Sequence, residues 1–265
     1  MHAEDVEYLA WLIESSEGCL SPGSVAALVD AALEGEGLVE VEVARYGYRL
    51  LVPADQLPEA WANLVHVVCM DEYMLSSLRG YRVESVVDIG GFLGFSAVHL
   101  ANMLKPRRLL VYEPNPDAAR VAELNIEANL PQGIDFRLYR AAVAEEDGEA
   151  TLWRPPNWAN SSLHRAYAEE MGVAHPEPLK VKTVAFKRAV LEAAPAAVKL
   201  DVEGVEDRLL RAYTPSPSEA PILVVEVHPP TSPGELQRLL EARGYRCSSR
   251  VLNERQAVLS CRAGG

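Results

Sequence analysis

Two segments of the chain carry acid–base groups at a density that suggests chemistry. Lys199-Leu200-Asp201-Val202-Glu203-Gly204-Val205-Glu206 sets acidic groups directly after an apolar run, and Val224-Val225-Glu226-Val227-His228-Pro229 repeats the arrangement with an added imidazole. If both runs are neighbouring parallel strands, Asp201, Glu203, Glu226 and His228 converge in one pocket. A weakly nucleophilic hydroxyl that must lose its proton during attack needs such a set. Asp201 or His228 could take the proton, and Glu203 or Glu226 could orient that base or hold a cation. The same oxygens suit Mg²⁺ or Ca²⁺, although one histidine gives no metal-ligand pattern. The competing roles are structural: Asp201 and Glu203 as partners of Lys199 or as a helix cap, and His228, before two prolines, as a turn histidine.

A second constellation points to a cofactor. Val86-Val87-Asp88-Ile89-Gly90-Gly91-Phe92-Leu93-Gly94 reads as an apolar strand running into a glycine turn and then a helix, which brings backbone N–H groups close to a ligand. The dinucleotide fingerprint GxGxxG fails here, because its second glycine would stand at Phe92. The spacing fits Asp-x-Gly-x-x-x-Gly instead. Asp88 could then face a cationic amino group, which suits the methionine part of S-adenosylmethionine better than a pyrophosphate. Glu113 lies 23 residues beyond Gly90, in Val111-Tyr112-Glu113-Pro114-Asn115, where a carboxylate can accept both ribose hydroxyls. NAD shares that ribose, so Glu113 alone does not choose. The expected cofactor contacts are Asp88, Gly90, Gly91, Gly94, Glu113, Asn115 and Ala142.

The elements that must position these residues follow from hydrophobic period. Strands are expected at 85–89, 109–112, 134–139, 197–200, 222–227, 245–251 and 257–261, with helices at 95–104, 117–129, 185–193, 206–212 and 233–243. Strands separated by helices pair in parallel, whereas the last two have only a short turn between them and run antiparallel. Nearly 60 residues separate the third and fourth strands; extra strands at 150–153 and 179–184 flank a stretch rich in Pro, Asn, Ser and aromatics. A loop of this length is expected to lie over the site, with Trp158 of Arg154-Pro155-Pro156-Asn157-Trp158 lining the acceptor pocket. The first 80 residues read as helices at 8–15 and 25–33, a small hairpin over 38–52, and one long helix from about Leu57 to Leu78 ending at Gly80.

Four blocks together resemble the FkbM family of S-adenosylmethionine-dependent methyltransferases: Asp-Ile-Gly-Gly with Gly94, Tyr-Glu-Pro-Asn-Pro at 112–116, Lys-Leu-Asp-Val-Glu-Gly-Val-Glu at 199–206, and Val-Glu-Val-His at 225–228. Asn160-Ser161-Ser162 is a weaker match inside the inserted loop. The resemblance covers roughly 85–228. It implies a doubly wound α/β fold, the seven-stranded Rossmann-like methyltransferase sheet with an antiparallel last strand, and methyl transfer to oxygen, often a hydroxyl of a sugar or secondary metabolite. Thr183-Val184-Ala185 departs from the Thr-Leu-Asp common in the family. Residues 1–83 have no family counterpart; they are expected to form a mostly helical extension with a hairpin, as an acceptor cap or oligomer contact, before a methyltransferase domain over 84–265 with an inserted loop at about 141–183.

Composition narrows the partners. The 265 residues are 49% hydrophobic and 24% charged, ordinary for a globular chain. No apolar run approaches the ~18 residues of a membrane span, and the opening carries Glu4, Asp5 and Glu7 instead of a basic signal-peptide head, so a cytoplasmic protein is expected. Residues 1–83 hold 14 acidic and 4 basic side chains, contributing −10 of the net −13. Such a field repels phosphate backbones, which favours a small-molecule acceptor over nucleic acid; a homo-oligomer is compatible with it. Cys19, Cys69, Cys247 and Cys261 form no CxxC, so reduced thiols are the default, except that a hairpin near Asn253 would set Cys247 opposite Cys261. Two other readings stand beside hydroxyl methylation: a methyltransferase for RNA or protein, and a non-catalytic nucleotide-binding module.

Overall fold

The computed structural model describes residues 3–171 and 175–264, so 172–174 of the expected insertion and the chain's first two residues lie outside it. The N-terminal part opens with helices α1 (Ala3–Ser16) and α2 (Pro22–Glu34), then an antiparallel hairpin of β1 (Leu38–Val43) and β2 (Tyr48–Pro53). Local sequence explains α2 at both ends. Ser21 caps it by accepting from Ser24 N, Pro22 supplies a preset φ in the first turn, and Gly35 closes it in the left-handed conformation.

The expected helix over 57–78 is broken. A 3₁₀ turn (Ala54–Gln56), α3 (Glu59–Leu64), a π-turn (Val65–Cys69) and a second 3₁₀ turn (Leu75–Leu78) replace it. The break has a local cause: Asp71 and Met74 adopt φ of 52° and 55°, and the Asp71 carboxylate accepts from Leu75 N at 2.6 Å and from Ser76 N. Side-chain capping thus competes with continued helix, as short acidic residues do. The resulting bend turns Tyr73 into the protein, where it is 1% exposed.

A seven-stranded sheet follows, built from β3 (Ser85–Ile89), β4 (Arg108–Tyr112), β5 (Asp135–Tyr139), β9 (Ala196–Leu200), β10 (Ile222–Val227), β11 (Tyr245–Val251) and β12 (Ala257–Ala263) in the order β11-β12-β10-β9-β3-β4-β5. The first five pair in parallel; β12 runs antiparallel between β10 and β11, the closing hairpin expected from the sequence. Every residue of β3 and β9 is buried, as expected for parallel strands covered on both faces. Helices α4 (Phe95–Leu104) and α5 (Pro116–Asn129) cover one face, and α7 (Phe186–Ala193), α8 (Glu206–Ala212) and α9 (Pro233–Ala242) the other. The insertion forms a small sheet of β6 (Ala142–Ala144), β7 (Gly148–Arg154) and β8 (Glu177–Ala185) in the order β6-β8-β7, plus helix α6 (Arg165–Met171).

The N-terminal part shares its core with the sheet. Leu12, Leu28, Val41, Trp61 and Leu64 belong to the same buried cluster as Val86, Val98, Val121 and Ile126 of β3, α4 and α5. Two asparagines on α5 also serve the hairpin as a strand would. Asn125 accepts from Leu51 N at 2.6 Å and donates to Leu51 O at 3.0 Å, and Asn129 makes the same pair with Arg49 at 2.8 and 2.7 Å. They satisfy backbone groups that an edge strand otherwise leaves open.

All four cysteines are bonded, which corrects the expectation of reduced thiols. Cys247 pairs with Cys261 directly across the β11–β12 ladder, and Cys19 pairs with Cys69 across 50 residues. The second bond joins the α1–α2 connection to the end of the π-turn, a proximity created by tertiary packing and invisible in spacing. Among the described residues, no helix is long and apolar enough to cross a membrane.

The Cys19–Cys69 bond closes a loop long enough for a substantial entropic contribution. Replacing both cysteines by serine should lower unfolding free energy by about 2–4 kcal/mol in urea melts. Thiol titration of the unfolded, unreduced chain should find no free thiol; four would refute both bonds.

Candidate active site

Gly90, Glu113, Asp201, Glu203 and His228 stand at or just beyond the carboxyl ends of the parallel strands, where the direction of the connections leaves a crevice. The floor is set by close backbone approach. At Gly90, φ is +81° and a Cβ would fall 1.7 Å from the Asp201 carbonyl oxygen; at Gly94, φ is +84° and a Cβ would meet Ala122 O of α5 at 3.0 Å. No side chain fits at Gly90 without separating β3 from β9. Gly91 lies against Val111 in the same turn.

Glu113, directly after β4, is folded back onto this turn. Its Oε2 accepts from Phe92 N at 2.7 Å and its Oε1 from Asn115 N at 2.7 Å. Burial raises its pKa to about 7 despite those two donors and the nearby Lys199 charge. Asn115 caps α5 by accepting from Asp117 N, and its Nδ2 is buried without a partner among the described residues. A cleft opens beside these groups, lined by Gly90, Glu113 and Ala142 with Trp158, Asp201 and Glu203 among others. Trp158 reaches it from the insertion, as expected, its backbone N–H held by Gln56 Oε1 at 2.9 Å.

Asp88 lies beneath the cleft, fully buried. It accepts from Ser96 Oγ at 2.6 Å, and the cation facing it is the ammonium of Lys199, 3.3 Å away. Burial raises the Asp88 pKa, with Lys199 and Ser96 opposing. Lys199 is 2% exposed and joins three elements: it donates to Gly90 O at 2.6 Å, approaches Asp201 Oδ2 at 3.2 Å, and sits over the Tyr73 ring at 5.3 Å. Its pKa is raised, because Asp201 and Asp88 outweigh the burial that would lower it.

Asp201, Glu203, Glu226 and His228 do converge. His228 Nε2 lies 3.3 Å from Glu226 Oε1, 3.6 Å from Glu203 Oε2 and 4.0 Å from Asp201 Oδ1, and Nδ1 faces Glu206 Oε1 at 3.0 Å. Burial opposes charging His228, but Glu203, Glu206 and Glu226 hold its pKa well above the ordinary 6.5, so it is an imidazolium at neutral pH. Burial would also raise Asp201, yet Lys199 and His228 keep it below its ordinary value, and its Oδ1 has no hydrogen-bond partner among the described residues. Glu203 is pushed up to about 8 by burial and by Asp201 and Glu226, with His228 and the Tyr167 hydroxyl opposing. Its backbone stands at φ 55°, in the region where strain collects at functional sites. Atoms of Asp201, Glu203 and His228 lie within 4.8 Å of one another; His228 stands near both carboxyls, and Lys199 near Asp201.

Three supporting groups were not among the expected site residues. Glu206 is fully buried at the start of α8, where it accepts from Val202 N and Gly204 N and holds His228. Tyr167, from α6 of the insertion, donates to Glu203 Oε2. Tyr73, from the N-terminal part, contacts Asp201 Oδ2 at 2.9 Å and Glu226 Oε2 at 3.0 Å. Glu206 could have been found from its place in a dense acidic block; an isolated tyrosine offers no pattern.

The geometry fits S-adenosylmethionine on two counts: a side-chain-free cradle at Gly90, and a buried carboxyl at Glu113 lining the cleft at the end of the second parallel strand. No curated protein matches the sequence significantly. Among solved structures, the FkbM methyltransferase of Methylobacillus flagellatus KT is similar with a TM-score of 0.51 and 14% identity, over 90% of this chain and 58% of that one. The present chain thus spans less than two thirds of that relative's length. M. jannaschii TYW2 in complex with AdoMet gives 0.48 and 14% over 86% of each chain. M. capricolum TrmK with S-adenosylhomocysteine gives 0.41 and 12%, over 74% of this chain and 68% of that one. The Methyltransferase FkbM domain profile matches residues 88–247, which take in the end of β3, the turn, Glu113, the insertion and both acidic strand ends. The chain therefore belongs to the FkbM methyltransferase family.

Proposed function

We propose that the protein transfers a methyl group from S-adenosylmethionine to a hydroxyl oxygen of a small metabolite or glycan, with Asp201 receiving the hydroxyl proton. The observation that carries this reading is Asp201, an ionised carboxylate lining the cleft beside Gly90, whose buried Oδ1 accepts no hydrogen bond among the described residues. S-adenosylmethionine supplies an activated methyl on a sulfonium, and the protein's part is to bind, align and deprotonate the acceptor. His228 is already protonated and so serves as a fixed positive charge, held by Glu206, that keeps Asp201 anionic. Glu203, held by the Tyr167 hydroxyl, lines the same cleft. Asp88, with Lys199, braces the turn from below, and Gly90, Gly91, Gly94, Glu113, Asn115 and Ala142 belong to the cofactor side. The acidic surroundings and the net charge of −13 favour a neutral or cationic acceptor over RNA. A cytoplasmic setting must accommodate two disulfides, which are rare in reducing cytosol outside hyperthermophiles.

The test is transfer of labelled methyl to a panel of hydroxylated metabolites and glycans, with bulk tRNA and protein as competing acceptors. Label in tRNA alone overturns the acceptor class; binding of the donor without transfer to any acceptor favours a non-catalytic module. Asp201→Asn should reduce transfer by about 10²–10⁴-fold while donor affinity measured by calorimetry stays within about threefold.

Glu113→Ala should weaken donor binding by roughly 1–3 kcal/mol, the worth of charge-assisted hydrogen bonds. The pH dependence has a defined sign. Glu113 titrates near 7 in the free protein, and accepting two ribose hydroxyls requires its anion, so binding expels a proton below that pH. Donor affinity should therefore rise with pH toward about 7 and level off above it. In Glu113→Gln this dependence should vanish; an unchanged profile would assign the proton to another group.

A further inference from the structure

Tyr73 comes from the stretch between α3 and β3, outside residues 88–247 that carry the family match, yet it touches the centre of the site. Its ring is buried, its back is covered by the Lys199 ammonium at 5.3 Å, and its single hydroxyl stands between Asp201 Oδ2 at 2.9 Å and Glu226 Oε2 at 3.0 Å. A phenol has one hydrogen and an ionised carboxylate has none, so one hydrogen cannot make two full bonds to two anions. The second contact requires a hydrogen on one of the carboxyls.

The surroundings decide which. Asp201 Oδ2 has the Lys199 ammonium at 3.2 Å, whereas Glu226, among the described residues, forms no ion pair with a lysine or arginine, feels Lys199 only from farther away, and meets the shared imidazolium of His228 at 3.3 Å through its other oxygen. From β9, Lys199 faces this pair; from the loop after β9, Asp201 and Glu203; from directly after β10, His228; from the N-terminal part, Glu72 and His66. Placing the hydrogen on Glu226 gives a directed chain, with Glu226 Oε2–H donating to Tyr73 Oη and Tyr73 Oη–H donating to Asp201 Oδ2.

We infer that Tyr73 is a positioning residue for methyl transfer, passing a hydrogen bond from a protonated Glu226 to Asp201 and so holding Asp201 as the anion with Oδ1 free for the acceptor hydroxyl. The inference rests on the assignment of Asp201 as proton acceptor, and it makes the N-terminal part a contributor to the site. No atom is transferred through the chain in the resting protein. The proton Asp201 gains in each turnover leaves to solvent when the product does.

Two measurements test it, and the first needs no acceptor. Infrared spectra of the intact protein at neutral pH should contain a carboxylic-acid carbonyl band that Glu226→Gln removes and Tyr73→Phe shifts. Absence of any such difference overturns the chain of bonds whatever the enzyme's substrate. The second uses the acceptor that the panel above identifies. Tyr73→Phe should lower kcat about tenfold or more, leave donor affinity unchanged, and move the acid limb of the kcat profile upward by about one pH unit, because Asp201 loses a donor that favours its anion. A merely structural tyrosine would lower melting temperature without moving that limb. Glu226→Gln keeps a donor toward Tyr73 and should retain about tenfold more activity than Glu226→Ala; equal loss in both overturns the inference. If no acceptor is found at all, the infrared result still stands, and only the functional reading fails.

Discussion

One buried ammonium holds this site together. Lys199 projects from the central strand β9 and places its charge among Gly90 O, Asp88, Asp201 and the face of Tyr73. Burying a charge is costly unless it is paired and hydrogen-bonded, and removing one member of such a set typically costs ~3–5 kcal/mol. The lysine, the two aspartates and the glycine turn therefore depend on one another. The turn can come within contact of β9 because residue 90 lacks a side chain, and the carbonyl exposed by that approach is where the ammonium docks. Cofactor floor and acid–base wall are two sides of one electrostatic arrangement.

Around that centre, segments outside the core sheet add walls and hydrogen bonds. Tyr73 arrives from the N-terminal part and Tyr167 from the insertion, and each satisfies a carboxyl contributed by the strand ends. Neither segment is a free appendage. The insertion meets the loop after β9 again through the Ser162 hydroxyl donating to Glu203 O, and the hairpin is held on α5 by two asparagines. A carboxyl cluster this dense needs donors as well as cations, and the peripheral tyrosines are the donors.

Much of this arrangement could be read from sequence because it is encoded in consecutive residues. The strand-to-glycine turn, Glu113 and the acidic blocks at 199–206 and 225–228 each carry their own spacing, and the alternation of strands and helices supplied the sheet and its closing hairpin. What escaped depends on distance in the chain. Tyr73 and Tyr167 are defined by partners 128 and 36 residues away, and the Cys19–Cys69 bond by a packing contact 50 residues apart. The segment 57–78 escaped for another reason: its apolar period is helical, but a single aspartate captures the amide groups that would have continued the helix. Asp88 shows the limit of motif reasoning, since the cation it faces in this structure is a lysine from the neighbouring strand.

The shared core has a consequence for biosynthesis. Leu12, Leu28, Val41 and Trp61 are buried in one core with α4 and α5, which follow them in the chain. During translation the N-terminal part emerges before the surface it must cover, so its apolar side chains remain exposed to water, or to a chaperone, until residues near 126 leave the ribosome. Its excess of acidic groups gives that waiting segment a repulsive charge that keeps nascent chains apart.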